Sequence, residues 1–301
     1  MGDLENRLVW SHSRQATFDS CKRKYYYHYY GSWGGWNSDA PGLIRQAYLL
    51  KNLDGLDAYV GSLVHKHISR VCANLSYGKA HSLDPNTLAK ELDRAFIEST
   101  DDVWYRDPKR RTRFFEDHYN GGISAELKES KKQKAVACIK AFLGSRMFAQ
   151  LQQYATQIHW LWIDPPRFSP NSEFSLGDCH AFGKLDLAFK SAGKVYLIDF
   201  KTGKQDASEQ EQIGVYALFA KDKWACETDA ITCGMVALYP EYSERRYAVT
   251  DQSLAEVEER IKIGYSEMVT LHEAGLNYQD SSFSPSKRKC EWCNFKEICK
   301  T

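Results

Sequence analysis

Long apolar runs are missing from these 301 residues. No stretch approaches the roughly 20 consecutive apolar residues that a membrane-spanning helix requires, so no membrane partner is expected. The opening Met1-Gly-Asp-Leu-Glu-Asn6 lacks an apolar leader core, which points to the cytoplasm and not to secretion. A charge excess of either sign is missing too. Forty Lys and Arg stand against thirty-nine Asp and Glu, a formal net charge of +1, so any polyanion site must be a local patch. No linker rich in Pro, Gly or Ser, no low-complexity tract and no internal repeat divides the chain. One large domain over 1–301 is the expectation.

Against that even background one stretch stands out. Gly183-Lys-Leu-Asp186-Leu-Ala-Phe189 is followed, after a short break, by Val195-Tyr-Leu-Ile-Asp199-Phe-Lys201. Strand alternation puts Val195, Leu197, Asp199 and Lys201 on one face and Tyr196, Ile198 and Phe200 on the other. A two-residue turn at Ala192-Gly193 makes a hairpin that sets Asp186 opposite Asp199, with Cβ atoms about 5 Å apart. Facing carboxylates repel unless one binds a proton or a cation lies between them. A single Asp-x-Lys is an ordinary solvated face. Here the apolar neighbours Leu185, Leu187, Phe189, Tyr196, Ile198 and Phe200 bury the strands on at least one side, where three charges are expensive. That geometry asks for a metal, and hard oxygen donors favour Mg²⁺ or Mn²⁺.

A second constellation lies at the chain's ends. Nine cysteines are present, and three of them form Cys290-x2-Cys293-x5-Cys299. Thiols two residues apart reach one metal centre from the same side of a turn. Three ligands need a fourth, and Cys21 in Phe18-Asp-Ser-Cys21 is the candidate. Cys72, Cys138, Cys179, Cys226 and Cys233 lie in apolar or strand-like settings and read as small core residues. In a reducing cytoplasm such thiols hold a metal more often than a disulfide. The spacing alone fits zinc and an iron–sulfur cluster equally. After Cys21 comes the aromatic tract Tyr25-Tyr-Tyr-His-Tyr-Tyr30, whose helical spacing sets Phe18, Tyr25 and Tyr29 on one face, as core around such a site.

With these residues in hand, the chain resembles the PD-(D/E)XK nucleases of the RecB-like branch. More narrowly it is similar to the iron–sulfur members, the CRISPR-associated RecB-like nucleases and the AddB nuclease domain. Asp186 in Gly183-x-x-Asp matches the family's first metal-binding aspartate. Asp199 and Lys201 match its (D/E)-x-K pair, and Gln212-Ile-Gly-Val-Tyr216 matches the Q-x-x-x-Y motif that follows. His65 in Gly61-Ser-Leu-Val-His65 matches the upstream helix histidine, and Cys21, Cys290, Cys293 and Cys299 match the split four-cysteine set. The resemblance spans essentially the whole chain, although the family pattern says little of the long segment between His65 and Asp186.

The resemblance implies a restriction-endonuclease-like α/β fold: a central mixed sheet flanked by helices, with a 4Fe-4S staple joining residue 21 to 290–299. It also implies a metal-dependent deoxyribonuclease, an exonuclease on single-stranded ends. His65, Asp186, Asp199 and the Phe200 carbonyl would hold Mg²⁺ or Mn²⁺, the histidine tilting the preference toward Mn²⁺. Lys201 would serve the attacking water, while Gln212 and Tyr216 would position DNA or brace the site. Implied partners are DNA and helicase or CRISPR adaptation proteins, in repair, CRISPR adaptation or phage DNA metabolism. The rival reading is a catalytically idle DNA-binding or scaffold subunit. The intact Asp186, Asp199 and Lys201 weigh against it.

Helical patterns cover 86–100, 123–155 and 252–274. A further stripe, Val60, Val64, Ile68, Val71 and Leu75, has His65 beside it with small Gly61 and Ser69 one turn either way. A lone helical histidine is usually structural, and neighbouring His67 is read so. Strands are predicted over 173–176, 179–190, 194–201 and 231–239, and the helical stretch 76–160 reads as an elaboration that covers or lines the site. Candidate basic patches are Lys22-Arg-Lys24, the run Arg106 to Arg113 containing Arg110 and Arg111, and Lys287-Arg-Lys289. Trp104, Tyr105, Phe114 and Phe115 flank the middle run, either as stacking faces for single-stranded bases or as anchors of a solvated loop.

Overall fold

The computed structural model describes residues 5–164, 172–203, 209–286 and 289–299. Lys287 and Arg288 of the third basic run lie outside the described residues. Among those described, no helix is long and apolar enough to cross a membrane.

The chain enters through a short strand β1 (Trp10–Ser11), then α1 (His12–Ser20) and α2 (Lys22–Tyr26). The break between the helices falls on Cys21. Its extended backbone ends α1, and its sulfur caps α2, Sγ accepting the Lys24 N–H at 3.4 Å. There follow α3 (Gly42–Lys51), α4 (Leu56–Ser76), α5 (Asn86–Ser99), α6 (Phe115–Tyr119), α7 (Ala125–Leu143) and α8 (Arg146–Gln153). The 123–155 pattern is therefore two helices. Ser145 starts the second one, its hydroxyl accepting from Phe148 N–H at 3.1 Å.

The strands come next: β2 (His159–Ile163), β3 (Glu173–Leu176), β4 (Cys179–Phe182), β5 (Leu187–Ser191) and β6 (Lys194–Lys201). Then α9 (Glu209–Trp224) leads to β7 (Ile231–Ala237), β8 (Ser243–Tyr247) and α10 (Asp251–Leu276). The main sheet has the order β2-β5-β6-β7-β8, with β6 and β7 parallel and the other pairs antiparallel. A parallel pair needs a crossover, and α9 provides it. The strands β1, β4 and β3 form a small second sheet.

Two expectations are corrected. The strand predicted over 179–190 is two strands in different sheets. The chain turns between them at Gly183, where a Cβ would stand 3.0 Å from the Phe219 ring, so a larger residue would have to displace that ring. The helical stretch ending at 160 runs instead into β2, whose aromatic and branched residues suit an edge strand better than a helix end.

Alternation along β6 divides the interior. Val195 and Leu197 belong to a core shared with α9, α10 and the N-terminal aromatic residues, whereas Ile198 and Phe200 belong to one shared with α4, α5, α7 and α8. Helices thus cover both faces of the mixed sheet, and the 76–160 helices are part of one layer. At the termini, Tyr25 meets Phe18 and Tyr29 at centroid distances of 4.9 and 5.0 Å. From the other end, Phe283 reaches Tyr26 at 5.1 Å and Phe295 reaches Tyr27 at 5.5 Å. Arg23 ties the two together, donating to the Phe283 carbonyl at 2.6 Å and pairing with Asp280 at 2.8 Å.

Candidate active site

β5 and β6 pair in the expected register, from Ser191 opposite Lys194 to Leu187 opposite Ile198. Ala192 and Gly193 both have positive φ, 48° and 78°, the left-handed pair that a two-residue hairpin turn needs. One step further along, Asp186 comes against Asp199. There the backbone ladder gives way to a side chain, Asp186 Oδ2 accepting from Phe200 N–H at 2.7 Å. Helix α4 delivers His65, whose Nδ1 donates to Asp186 Oδ1 at 2.7 Å. An ionised carboxylate can only accept, so a proton lies on Nδ1, and in the neutral ring Nε2 carries the lone pair. α4 comes this close because it presents Gly61, where a Cβ would lie 3.1 Å from Thr202 Oγ1. His67 is buried elsewhere, 3.0 Å from Glu91, and is structural.

Helix α9 braces the site from behind. Lys201 Nζ donates to Gln212 Oε1 at 2.6 Å, Gln212 Nε2 donates to the Tyr216 hydroxyl at 2.6 Å, and that hydroxyl donates to Asp199 Oδ1 at 2.8 Å. The chain of donors runs one way and ends on a carboxylate, so one helix fixes both members of the Asp-x-Lys pair. Gln212 and Tyr216 both contact the Asp-x-Lys pair directly, which is the geometry a brace needs.

The site's charges are poorly hydrated, with the Asp186 and Asp199 side chains 11% and 5% exposed. Burial raises the Asp186 carboxyl, but His65 and the Phe200 N–H outweigh it and hold it below the usual carboxylate range. Burial, then the neighbouring Asp186, pushes Asp199 up against the pull of Lys201 and Tyr216. Burial lowers the His65 imidazole, yet Asp186, Asp199 and Asp164 together carry it above its ordinary value. Burial and then the two carboxylates keep Tyr216 far above its usual range, so it acts as a donor.

Asp199 Oδ2 meets only the Lys201 ammonium, in an ion pair at 2.8 Å. A buried, under-satisfied carboxylate oxygen near a second carboxylate and an imidazole suits a hard divalent cation. Among the described residues, no three His, Cys, Asp or Glu side chains already close around one ion. Waters or substrate oxygens would complete the shell.

Asp164 was not anticipated. It directly follows β2, its N–H donates to the Asp186 carbonyl at 2.8 Å, and its own carbonyl accepts from the Ser69 hydroxyl. Its Oδ2 lies 3.5 Å from Lys184 Nζ, while Oδ1 is buried without a hydrogen bond. An acidic residue closing the run Trp160-Leu-Trp-Ile163 is the signal that could have found it.

Arg110 and Arg111 are not brought to this site. They pair with Asp107 at 3.7 Å and Asp101 at 3.4 Å, and neither lines the carboxylate cleft or the cavity beside it. The stacking-face reading of their neighbours is corrected for three of the four. Trp104, Phe114 and Phe115 are buried, Phe114 against Tyr59 and Phe96, and only Tyr105 is exposed.

The four terminal cysteines, in contrast, line one cavity of about 480 Å³, joined there by Lys24, Lys289 and Lys296. All are free thiols. Burial raises Cys21, but hydrogen bonds from Lys24, Ser286 and Arg23 hold it below the ordinary thiol value, whereas burial leaves Cys293 and Cys299 raised. Cys72, Cys138, Cys179 and Cys233 are buried and Cys226 is half-buried, as core positions.

A family model described as the PD-(D/E)XK nuclease superfamily matches residues 9–300. Among solved structures, a candidate exonuclease from Eubacterium rectale is similar at 12% identity, over 73% of this chain and 77% of that one, with a TM-score of 0.36. No curated protein matches the chain.

Proposed function

The chain belongs to the PD-(D/E)XK nuclease superfamily, and from that premise we propose that it is a Mg²⁺- or Mn²⁺-dependent deoxyribonuclease of the RecB-like iron–sulfur branch, acting as an exonuclease on single-stranded ends. The observation that carries this reading is the buried pair Asp186 and Asp199 with Lys201 pinned beside it. Asp186, Asp199, His65 and the Phe200 carbonyl would hold the cation. When bound, it would supply Lewis acidity at the phosphate and a hydroxide-like water.

The chain's own residues do the remainder. Tyr216 keeps a donor on Asp199 and so favours its ionised form. Asp186 fixes the His65 ring through Nδ1. Lys201, steadied by Gln212, holds its ammonium group where it can orient the attacking water and stabilise charge growing on the phosphate oxygens. In this reading 1–301 is one nuclease domain, with 76–160 as an elaboration of it.

A 4Fe-4S cluster held by Cys21, Cys290, Cys293 and Cys299 is the second part of the proposal. The four free thiols around one cavity support it, as does the Cys21 thiol poised by backbone N–H donors. The aromatic core beneath already joins the termini, so the cluster would seat on a formed base. Helicase or CRISPR adaptation proteins are the proposed partners.

The test is anaerobic purification with a visible spectrum and iron and zinc analysis, followed by digestion of end-labelled single-stranded and duplex DNA. Brown protein that degrades single-stranded ends with Mg²⁺ or Mn²⁺, and stops in EDTA, is expected. DNA binding without cleavage under either metal would leave the idle-subunit reading, and stoichiometric zinc would replace the cluster.

A further inference from the structure

The carboxylate cleft does not end at His65. His65 and Lys184, which line it, also line a neighbouring cavity of about 800 Å³ that follows one side of α4 from Ala58 to Ala73. At 1.5 Å per residue that side is about 22 Å long, enough for several phosphates of one nucleic-acid strand at about 3.4 Å per phosphate or somewhat more.

The charges along this groove differ in how free they are. Lys66 is committed to Glu91 at 2.6 Å. Arg70 is exposed and makes no ion pair among the described residues. Lys184 touches Asp164 only at 3.5 Å, with 65% of its side chain exposed. Two basic groups, one from α4 and one from the loop before Asp186, are therefore available to an anion. Among the described residues no Phe, Tyr or Trp lines the groove, and its available charges, Arg70 and Lys184, suit phosphates more than bases, so binding would be to the nucleic-acid backbone, without sequence preference. The carboxylates at its end are recessed, which a bending single strand can reach more readily than a stiff duplex can.

We propose that this groove carries the single strand that feeds the site, with Arg70 and Lys184 holding its phosphates. The proposal rests on the nuclease reading and names its substrate track. It also replaces Arg110 and Arg111 as the DNA-binding pair.

Fluorescence anisotropy of a labelled oligo-dT, measured in EDTA over a salt series, tests it without any turnover. For every phosphate that the protein no longer neutralises, the plot of log affinity against log salt should flatten by about 0.7. Arg70→Ala combined with Lys184→Ala should therefore flatten it by about 1.4 and weaken binding at least tenfold, with an unchanged melting curve. Arg70→Lys should restore most of the slope. Arg110→Ala with Arg111→Ala should leave it unchanged. If the groove variants keep the wild-type slope, or if the Arg110 and Arg111 pair carries the loss instead, the strand runs elsewhere and the proposal fails. Failure of the nuclease reading looks different: wild-type protein would bind with the full slope yet cleave nothing in Mg²⁺ or Mn²⁺.

Discussion

The carboxylate cleft and the cysteine cavity are built in opposite ways. In the cleft, Asp186, Asp199 and Lys201 come from one hairpin, and every one of them is held by another side chain or a backbone N–H. In the cavity, one thiol comes from a helix break near the start and three from the last turns of the chain. Cys21 accepts hydrogen bonds from Lys24, Ser286 and Arg23, whereas burial leaves Cys293 and Cys299 raised. The cleft is preorganised by protein alone, whereas in the proposed reading the cavity gathers four thiols that a cluster would fix. Loss of a group should therefore cost turnover in the first region and folding stability in the second.

The largest expected effect on that comparison comes from Asp199→Ala. It removes the proposed metal donor and the end of the Tyr216 chain, and kcat should fall by about 1000-fold, or roughly 4 kcal/mol. Because one of two repelling buried carboxylates is gone, the melting temperature should hold or rise. EDTA should imitate the loss of activity reversibly. Activity within tenfold of wild type would move the chemistry away from the hairpin.

Cys21→Ala should do the reverse. The proposed cluster would cross-link residue 21 to the 290–299 segment and close most of the chain, and such closures are worth about 3 kcal/mol or somewhat more. The variant should lose its brown colour, melt several degrees lower and give less soluble protein, while the protein that remains folded keeps its turnover. Full colour with an unchanged melting curve would show that the aromatic core, and not the thiols, joins the termini.

Lys201→Ala comes next, a loss of about 100-fold in kcat with a much smaller change in substrate affinity, because the ammonium acts mainly as charge develops. An equal effect on affinity alone would make Lys201 a binding residue.

The same contrast explains what was legible in the sequence. The hairpin could be read down to its register because its partners are near neighbours and a two-residue turn sets the pairing. Asp164 is marked only by its place at the end of an aromatic run, and its closeness to Asp186 depends on β2 being laid beside β5 by the sheet. The split of 179–190 depends on the Phe219 ring crossing at Gly183, a contact between distant segments. Trp104, Phe114 and Phe115 looked available beside the basic run because nothing local reveals that Tyr59, Phe96 and Trp292 cover two of them. The four cysteines could be grouped by spacing and resemblance, but the aromatic seat beneath them joins Tyr26 and Tyr27 to Phe283 and Phe295, which no window of sequence contains.

The smallest effect tests the brace that separates the two regions most sharply, and Tyr216→Phe isolates it. The ring is buried, so phenylalanine keeps the packing and removes only the hydroxyl. Asp199 then loses the donor on Oδ1, and Gln212 loses the acceptor that orients its amide toward Lys201. A hydrogen bond to a charged group is worth about 1.5–3 kcal/mol when its loss is not made good, and water can restore part of it, so kcat should fall by about tenfold. The pH dependence gives the sign. Burial and Asp186 push the Asp199 carboxyl up while Tyr216 pulls it down, so removing the hydroxyl raises it further. Activity needs the ionised form, and its loss on acidification should begin at a higher pH in the variant than in the wild type. The melting temperature should barely move, because the buried volume is preserved. If kcat and the acid limb both stay in place, α9 contributes packing and no electrostatics, and the cleft is less preorganised than its hydrogen bonds imply.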